Sequence, residues 1–505
     1  MQKKYIFMGI GASLLVTVFL FFQFYVPHRI KRYLNTEIAE LSHIEGKIGG
    51  VDISFFGSDW ILREIDLVSN SGASEVTLEM EKAILHDVDW YRIVYQNSIA
   101  VGSIKCVKPN VKITKTDTVR VRNKLQKTSI EIGDIELEGG AITLFDEQKK
   151  DTLFGSAISQ VRLNAITTDR STPFYFHSSL IDRAEFTHLH AKVNEFDVLR
   201  IRRLSFKNNG ISALDLSLST EFDKARLSKI LKTERDHTDF KLDVLEMEHI
   251  DFQIADGLTS LSSRRVLLSD FDLAIYRDKL LPDDTRRKRY YGASLRDLPF
   301  RLDVTTVVVR NGRLNYAEKV KMGIKPENLV FQNISGKFNN LHNFKDSQTD
   351  VELSTQIMGE AALDITFQLH PLNVRETFLL EGSVTSLNAA SVNPFLRTST
   401  GTMAQGYVDR MYFTVDGNST RARGDVKMKY KNFKIQILKK DFLKINKVLS
   451  FLGNLILNDG SKNTDGYRYG TIEVEPDGTK SFINYLWSCL MDGMLNTVTG
   501  NGKKE

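Results

Sequence analysis

Two cysteines in 505 residues, Cys106 and Cys489, lie too far apart in sequence to make a disulfide framework or a zinc-ligand pattern. Each reads as a buried thiol. Proline is scarce too, with nine residues in all, so no Pro-rich linker divides the chain into separated beads. An excess of one charge is also lacking. The 68 Lys and Arg against 63 Asp and Glu leave only +5, without the concentrated basic field that nucleic-acid binding needs. No G-x-S-x-G, H-E-x-x-H or phosphate-loop pattern occurs. The acidic residues mostly alternate with apolar ones, as solvated strand faces do. Neither Asp283-Asp284 nor Asp251 with Asp256 makes a persuasive acid–base pair. The expectation is a protein that is not an enzyme, needs no cofactor or metal and binds no nucleic acid.

What is present begins with an uncharged run of 22 residues, Tyr5–Val26. As a helix it reaches ~33 Å, enough to cross the hydrocarbon core of a bilayer. It leaves through Gln23-Phe24-Tyr25-Val26-Pro27, which offers no small-residue cleavage site, so a permanent single-pass anchor is expected. Positive charge on its two sides, Lys3 and Lys4 against Arg29, Lys31 and Arg32, is close to balanced. Long domains translocate largely regardless of that charge, and the bulk is expected outside the cytoplasm.

Beyond the anchor, Ile30, Tyr33, Leu34, Ile38 and Leu41 predict a helix over Arg29–Leu41, ended by Gly46, Gly49 and Gly50. From Val51 the period switches to two, most clearly at Leu214-Asp-Leu216-Ser-Leu218-Ser-Thr220-Glu-Phe222. Further helices are predicted at Lys224–Glu234, Asn388–Leu396, Phe442–Leu457 and Ser481–Val498. One unit recurs at offsets 0, 3, 5, 8, 10 and 12: Val101, Ile104, Cys106, Pro109, Val111, Ile113; then Ile132, Ile135, Leu137, Gly140, Ile142, Leu144; then Val304, Val307, Val309, Gly312, Leu314, Tyr316. Met247, Ile250 and Phe252 begin a fourth copy that diverges. Each copy reads as strand, tight turn, strand, with turns at Lys108-Pro109, Gly139-Gly140 and Asn311-Gly312. The expected architecture is mainly β: an N-terminal transmembrane helix, then an elongated, curled antiparallel sheet with a few short helices and a C-terminal amphipathic helix.

The anchor, the Arg29–Leu41 helix, the glycine-rich start of the strands and the repeated segments together resemble the AsmA-like family of bacterial envelope proteins. Leu298–Tyr316, with Asn311-Gly312 inside it, is similar to a recurring segment of that family, and Leu387–Phe395, Gly406–Asn418 and Lys480–Gly493 resemble its C-terminal part. The family is related to bridge-like lipid-transfer proteins, whose taco-shaped β-grooves carry phospholipid tails. The resemblance implies an inner-membrane anchor, a periplasmic groove, phospholipids as partners, and an outer membrane or outer-membrane protein at the other end. It divides the chain into a cytoplasmic end (1–4), the transmembrane helix (5–26), an N-terminal β region (27–276), an irregular basic loop (277–299), a C-terminal β region (300–480) and the tail helix (481–505).

On that reading the groove is lined by Ile135, Leu137, Ile142, Leu144, Leu214, Leu216, Leu218, Ile250, Phe252, Ile254, Val307, Val309, Ile365 and Phe367. Each serves equally as an ordinary core position. Burying an acyl chain there yields ~0.8 kcal/mol per CH₂. In the tail, Phe482, Leu486, Leu490 and Met494 recur one turn apart, with Ile483 and Trp487 widening the stripe. That stripe suits a membrane or partner contact, or a plug on the β-body. Arg286, Arg287, Lys288 and Arg289, followed by Tyr290-Tyr291, form the densest basic patch, which suits phospholipid headgroups or a solvated loop. His188-x-His190 has a spacing that grips metals, but no third ligand joins it and surface histidines are expected. A non-enzymatic assembly factor for outer-membrane proteins or envelope integrity is the alternative function. A hydrolase is the third.

Overall fold

Period-two alternation commits most of this chain to strands. The computed structural model, which describes residues 24–40, 44–54, 58–70, 74–89, 91–92, 98–115, 129–168, 176–255, 257–438 and 466–500, is mainly β. Among the described residues 24 strands join a mixed sheet, and five α-helices occur: α1 Val26–Glu40, α2 Lys224–Ile230, α3 Tyr291–Arg296, α4 Asn393–Ser399 and α5 Phe482–Thr499. Helices α1, α2, α4 and α5 fall where helical spacing predicts them, and α3 was not foreseen. The predicted Phe442–Leu457 helix lies outside the described residues. So does the Tyr5–Val26 anchor, except for Phe24, Tyr25 and Val26. Among the described residues no helix is long and apolar enough to cross a membrane.

The chain divides into two compact units. The first holds residues 1–195, 199–213 and 253–255, and the second holds 196–198, 214–252 and 256–505. The basic segment 277–299 is thus internal to the second unit.

In the first unit, alternation places the apolar side chains of neighbouring strands in line. One cross-strand row runs Val51, Leu62, Ala83, Cys106, Leu137, Val161, Ala184. The next runs Ile53, Trp60, Leu85, Ile104, Ile135, Leu163, Ile181. Between them, on the opposite face, lie Lys105, Glu136, Arg162 and Arg183. Helix α1 covers one end of the apolar face, packing Ile30, Leu34 and Ile38 against Ile48, Val51, Ile65 and Ala83. Asn35 fixes its position. Its Oδ1 accepts from the Ile48 N–H (2.8 Å), its Nδ2 donates to the Ile48 carbonyl (3.1 Å), and Lys31 donates to the Gly49 carbonyl.

The second unit repeats the plan on a larger scale. One row crosses ten strands as Met247, Val266, Val307, Phe338, Val351, Phe367, Leu380, Val415, Gly424, Ile472. Its neighbour runs Leu245, Leu268, Val309, Gly336, Leu353, Ile365, Gly382, Phe413, Val426, Gly470. The other face carries Lys337, Glu352, Thr366, Glu381, Thr414, Asp425 and Thr471. At ~4.8 Å per strand, each apolar row extends ~43 Å.

The sheet is mixed, not antiparallel, and the repeat explains why. The predicted hairpins are single runs of chain with a kink. Ser98–Val107 and Asn110–Lys115 both lie antiparallel along Ser74–Val88, and both lie parallel to the next copy, Ser129–Glu138 and Ala141–Asp146. The third copy sits inside the unbroken strand Arg301–Lys319, parallel to Gly257–Asp278. Where turns were expected, the chain instead takes positive φ within the run: Lys108 (φ 51°), Gly139 (φ 69°) with Gly140 (φ 102°), and Asn311 (φ 50°). Such a residue breaks the pleat, so that side chains three apart share a face. Leu85 and Val88, which bracket Asp87 (φ 52°), accordingly pack in one cluster.

Counted from the kink, apolar residues stand at −4, −2, +1, +3 and +5. His249 (φ 50°) has Leu245, Met247, Ile250, Phe252 and Ile254 in those places, so the fourth copy starts five residues upstream of its predicted register. Asp270 (φ 59°) has Val266, Leu268, Phe271, Leu273 and Ile275, a copy that the sequence did not disclose. This copy pairs in register with the third: Val266 with Val307, Leu268 with Val309, Leu273 with Leu314, Ile275 with Tyr316. Copies that run the same way stack kink upon kink in register, as these two do, and kinks also meet across antiparallel strands, as Gly406 (φ 89°) does with Asn432 (φ 50°).

The abutting kinks leave little room. A Cβ at Gly140 (φ 102°) would lie 2.1 Å from the Pro109 carbonyl oxygen. Gly140→Ala is therefore expected to destabilise the fold by about 2–4 kcal/mol. Lys108→Gly, which relieves a left-handed lysine, is expected to be neutral or to stabilise by up to about 1 kcal/mol. Urea denaturation of both variants checks this, and similar losses in the two would contradict the kink.

Candidate functional site

The candidate lining residues fall in both units. Ile135, Leu137, Ile142, Leu144 and Ile254 belong to the first, and Leu214, Leu216, Leu218, Ile250, Phe252, Val307, Val309, Ile365 and Phe367 to the second. Within the second unit the structure brings Val307, Val309, Ile365 and Phe367 into the same two apolar rows. Ile250 and Phe252 follow the His249 kink instead, while Leu214, Leu216 and Leu218 lie half-buried on Gly210–Thr220. Ile254 is exposed. Ile135 and Leu137 occupy the two rows of the first unit, and Ile142 and Leu144 lie beyond its kink. Sequence reasoning missed Phe338, Val351, Leu353, Leu380, Phe413, Val415 and Val426. Val351 and Leu353 were legible in the alternation Thr349-Asp-Val-Glu-Leu.

Cover over these rows is uneven. At the C-terminal end Leu380, Val415, Val426 and Ile472 are fully buried. Toward the middle Val307, Phe338, Leu353 and Ile365 are half-buried, while Val309, Val351 and Phe367 among them are buried. A shallow depression lies on the opposite, polar face, bordered by Lys337, Glu352, Asp364, Glu381, Ser383 and Tyr412. Of the candidate residues it borders only Ile365, so it is not the apolar site.

Helix α5 supplies the cover at the C-terminal end. Ser481 caps it, its Oγ accepting from the Asn484 N–H (3.3 Å). Phe482 inserts among Tyr290, Tyr291, Phe367 and Phe378, at ring separations of 5.1, 5.3, 5.6 and 5.0 Å. The Tyr485 hydroxyl donates to the Asn418 carbonyl (3.1 Å), and Asp492, the helix's only charge, accepts from the Glu473 N–H (2.9 Å). Backbones meet where a Cβ at Gly470 would lie 2.3 Å from the Gly493 carbonyl oxygen. Of the tail residues singled out in the sequence, Phe482, Leu486, Leu490 and Met494 pack into the core of this unit. Ile483 and Trp487 remain 60% and 39% exposed.

The basic run largely neutralises itself. Asp284 is held by Arg286 (2.9 Å) and Lys288, and Asp297 by Arg289 (3.4 Å). Hydrogen bonds from Arg286 and Lys288 push the Asp284 carboxyl below its ordinary value of 3.8. Asp283, its neighbour, takes Lys480 (2.8 Å). Asp283 and Asp284, weighed for acid–base chemistry, thus serve as ion-pair partners, while Asp251 lies on the strand Asp251–Ala255 and Asp256 falls outside the described residues. Burial raises the thiols of Cys106 and Cys489 to about 11 and about 12, which keeps them protonated. His188 is exposed at a left-handed kink, and the His190 ring lies over Gly155. Among the described residues no cluster of His, Cys, Asp and Glu is arranged to hold a metal.

No protein-family model matches this chain, and no curated protein matches it in sequence.

Two outcomes follow from these contacts. Phe482→Ala is expected to cost about 3–5 kcal/mol and Ile483→Ala to stay within about 0.5 kcal/mol, both read by urea denaturation. Because Asp284 has a lowered folded value, its pairing stabilises the loop above its ordinary value of 3.8 and is lost as pH falls below it. Asp284→Asn should flatten the acid limb of the stability profile, and an unchanged limb would show the pairing to be idle.

Proposed function

We propose that this protein is a membrane-anchored, non-enzymatic lipid handler of the cell envelope, AsmA-like in plan, whose apolar sheet faces shield phospholipid acyl chains from water. The observation that carries this reading is the pair of unbroken apolar rows across ten strands of the second unit, whose middle mixes half-buried Val307, Phe338, Leu353 and Ile365 with buried Val309, Val351 and Phe367, while its end is sealed by α5. A face with no polar side chain in either row offers an acyl chain a continuous apolar path. It offers no headgroup pocket to stop sliding. The gain of ~0.8 kcal/mol per buried CH₂ supplies the affinity. The first unit carries the same kind of face, with α1 over its end. On this reading Tyr5–Val26 is the inner-membrane anchor, the bulk lies in the periplasm, and the apolar faces serve as the walls of a groove that supports outer-membrane lipid homeostasis.

A packed, dry core in the service of outer-membrane protein assembly is the competing reading, favoured by the full burial beneath α5. Phe338→Glu separates the two. In a lipid-carrying face it should leave a folded protein that has lost bound phospholipid, while in a packed core it should unfold the second unit. Photo-crosslinking residues at Phe338, Val307 and Ile135 should capture phospholipid from membranes. Absence of crosslinked lipid at all three, with none co-purifying, would sink the proposal.

A further inference from the structure

Two segments about 190 residues apart, the basic run and the tail helix, meet on one surface of the second unit. The Lys288 N–H donates to the Gly478 carbonyl (2.8 Å), and the Tyr291 ring meets Phe482 edge-on. Tyr291, which reaches α5 through Phe482, is 48% exposed, and Ile483 and Trp487, one turn apart on that helix, are 60% and 39% exposed. The inner side of that helix is committed to the sheet. Among the described residues Ile483 belongs to no buried cluster of this unit, and charged side chains are sparse on α5 itself. Around these apolar tips the arginines reach outward: the side chains of Arg286 and Arg289 are 83% and 69% exposed. Across residues 283–297, Arg286, Arg287, Lys288, Arg289 and Arg296 outnumber Asp283, Asp284 and Asp297 by five to three.

We propose that this surface docks on an anionic lipid bilayer, with Ile483, Trp487 and Tyr291 entering the headgroup layer and the excess arginine charge facing lipid phosphates. Trp and Tyr rings favour that layer because one edge is apolar and the other wet. Each cation in excess adds about fivefold to binding at low salt. The inference deepens the lipid-handling reading and rests on it, since it sets the α5-covered end of the apolar rows at a membrane. It also reassigns the membrane contact within the tail. The buried stripe of Phe482, Leu486, Leu490 and Met494 holds the helix on the sheet, and two residues outside that stripe reach the lipid.

The test uses the full chain held in neutral-lipid nanodiscs and mixed with vesicles containing phosphatidylglycerol or phosphatidylcholine alone. Co-flotation should occur with the anionic vesicles and fall at high salt. Ile483→Glu with Trp487→Glu should reduce it at least tenfold, and Arg287→Glu should reduce it severalfold, with the melting transition unchanged because these side chains are exposed. Equal flotation on neutral vesicles, or flotation indifferent to Ile483→Glu with Trp487→Glu, overturns the proposal, as does capture of a protein with no vesicle binding. Acyl-chain crosslinking at Phe338 and Val307 is read in parallel. Crosslinks without vesicle docking reject only the docking surface, while docking without crosslinks rejects the lipid-handling function.

Discussion

One constraint governs both units: a strand that is apolar on one side must keep that side facing the same way over its whole length. Strict alternation does this over a short strand, and over a longer one twist works against the shared register with its neighbours. The left-handed residues at Lys108, Gly139, His249, Asp270 and Asn311 answer the problem. Each costs local backbone energy of about 1–2 kcal/mol when it is not glycine. Each restores apolar side chains to the shared face, and aligned kinks spread the adjustment over neighbouring strands. The Asn311 side chain, which donates to Asp270, ties two such positions together.

That device accounts for what the sequence disclosed and what it hid. The spacing 5 to 8 within each copy was visible, and glycines at two of the three expected turns suggested a hairpin. A chain reversal and an in-strand kink both call for positive φ, so residue preference alone does not distinguish them. The distinction rests on pairing partners, which are other strands: Ser74–Val88 for the first copy and Gly257–Asp278 for the third. Asp270 escaped notice because the first place of its copy is Ser263, a polar residue where the others have an apolar one. Helices α1 and α5 were legible because helical spacing of large apolar residues persists over several turns. Helix α3 spans only Tyr291–Arg296, too short to show a period.

The candidate site was legible in its chemistry and not in its membership. Val307, Val309, Ile365 and Phe367 belong to rows that sequence cannot assemble, because a row is a sum of nine pairings and each register is set in space. The tail shows the same limit. Its apolar stripe was evident, but the sheet claims most of it, through a glycine crossing at Gly470 and Gly493 and an aromatic nest around Phe482. Likewise the basic run suited lipid headgroups or a solvated loop, and neighbouring aspartates engage three of its four cations.

Parallel, in-register copies have a further consequence for how such a sheet is inherited. When one copy lies beside the next with matching kinks, the contact between them is the same contact whichever copies are involved. Duplication of a segment therefore supplies a new strand with a ready-made neighbour on each side, and loss of one lets the flanking copies close ranks. Width becomes a quantity that changes in whole steps of ~4.8 Å per strand, without inventing a core at each step. A lineage built this way adjusts the width of a unit by counting copies, and the fold of each copy stays as it was.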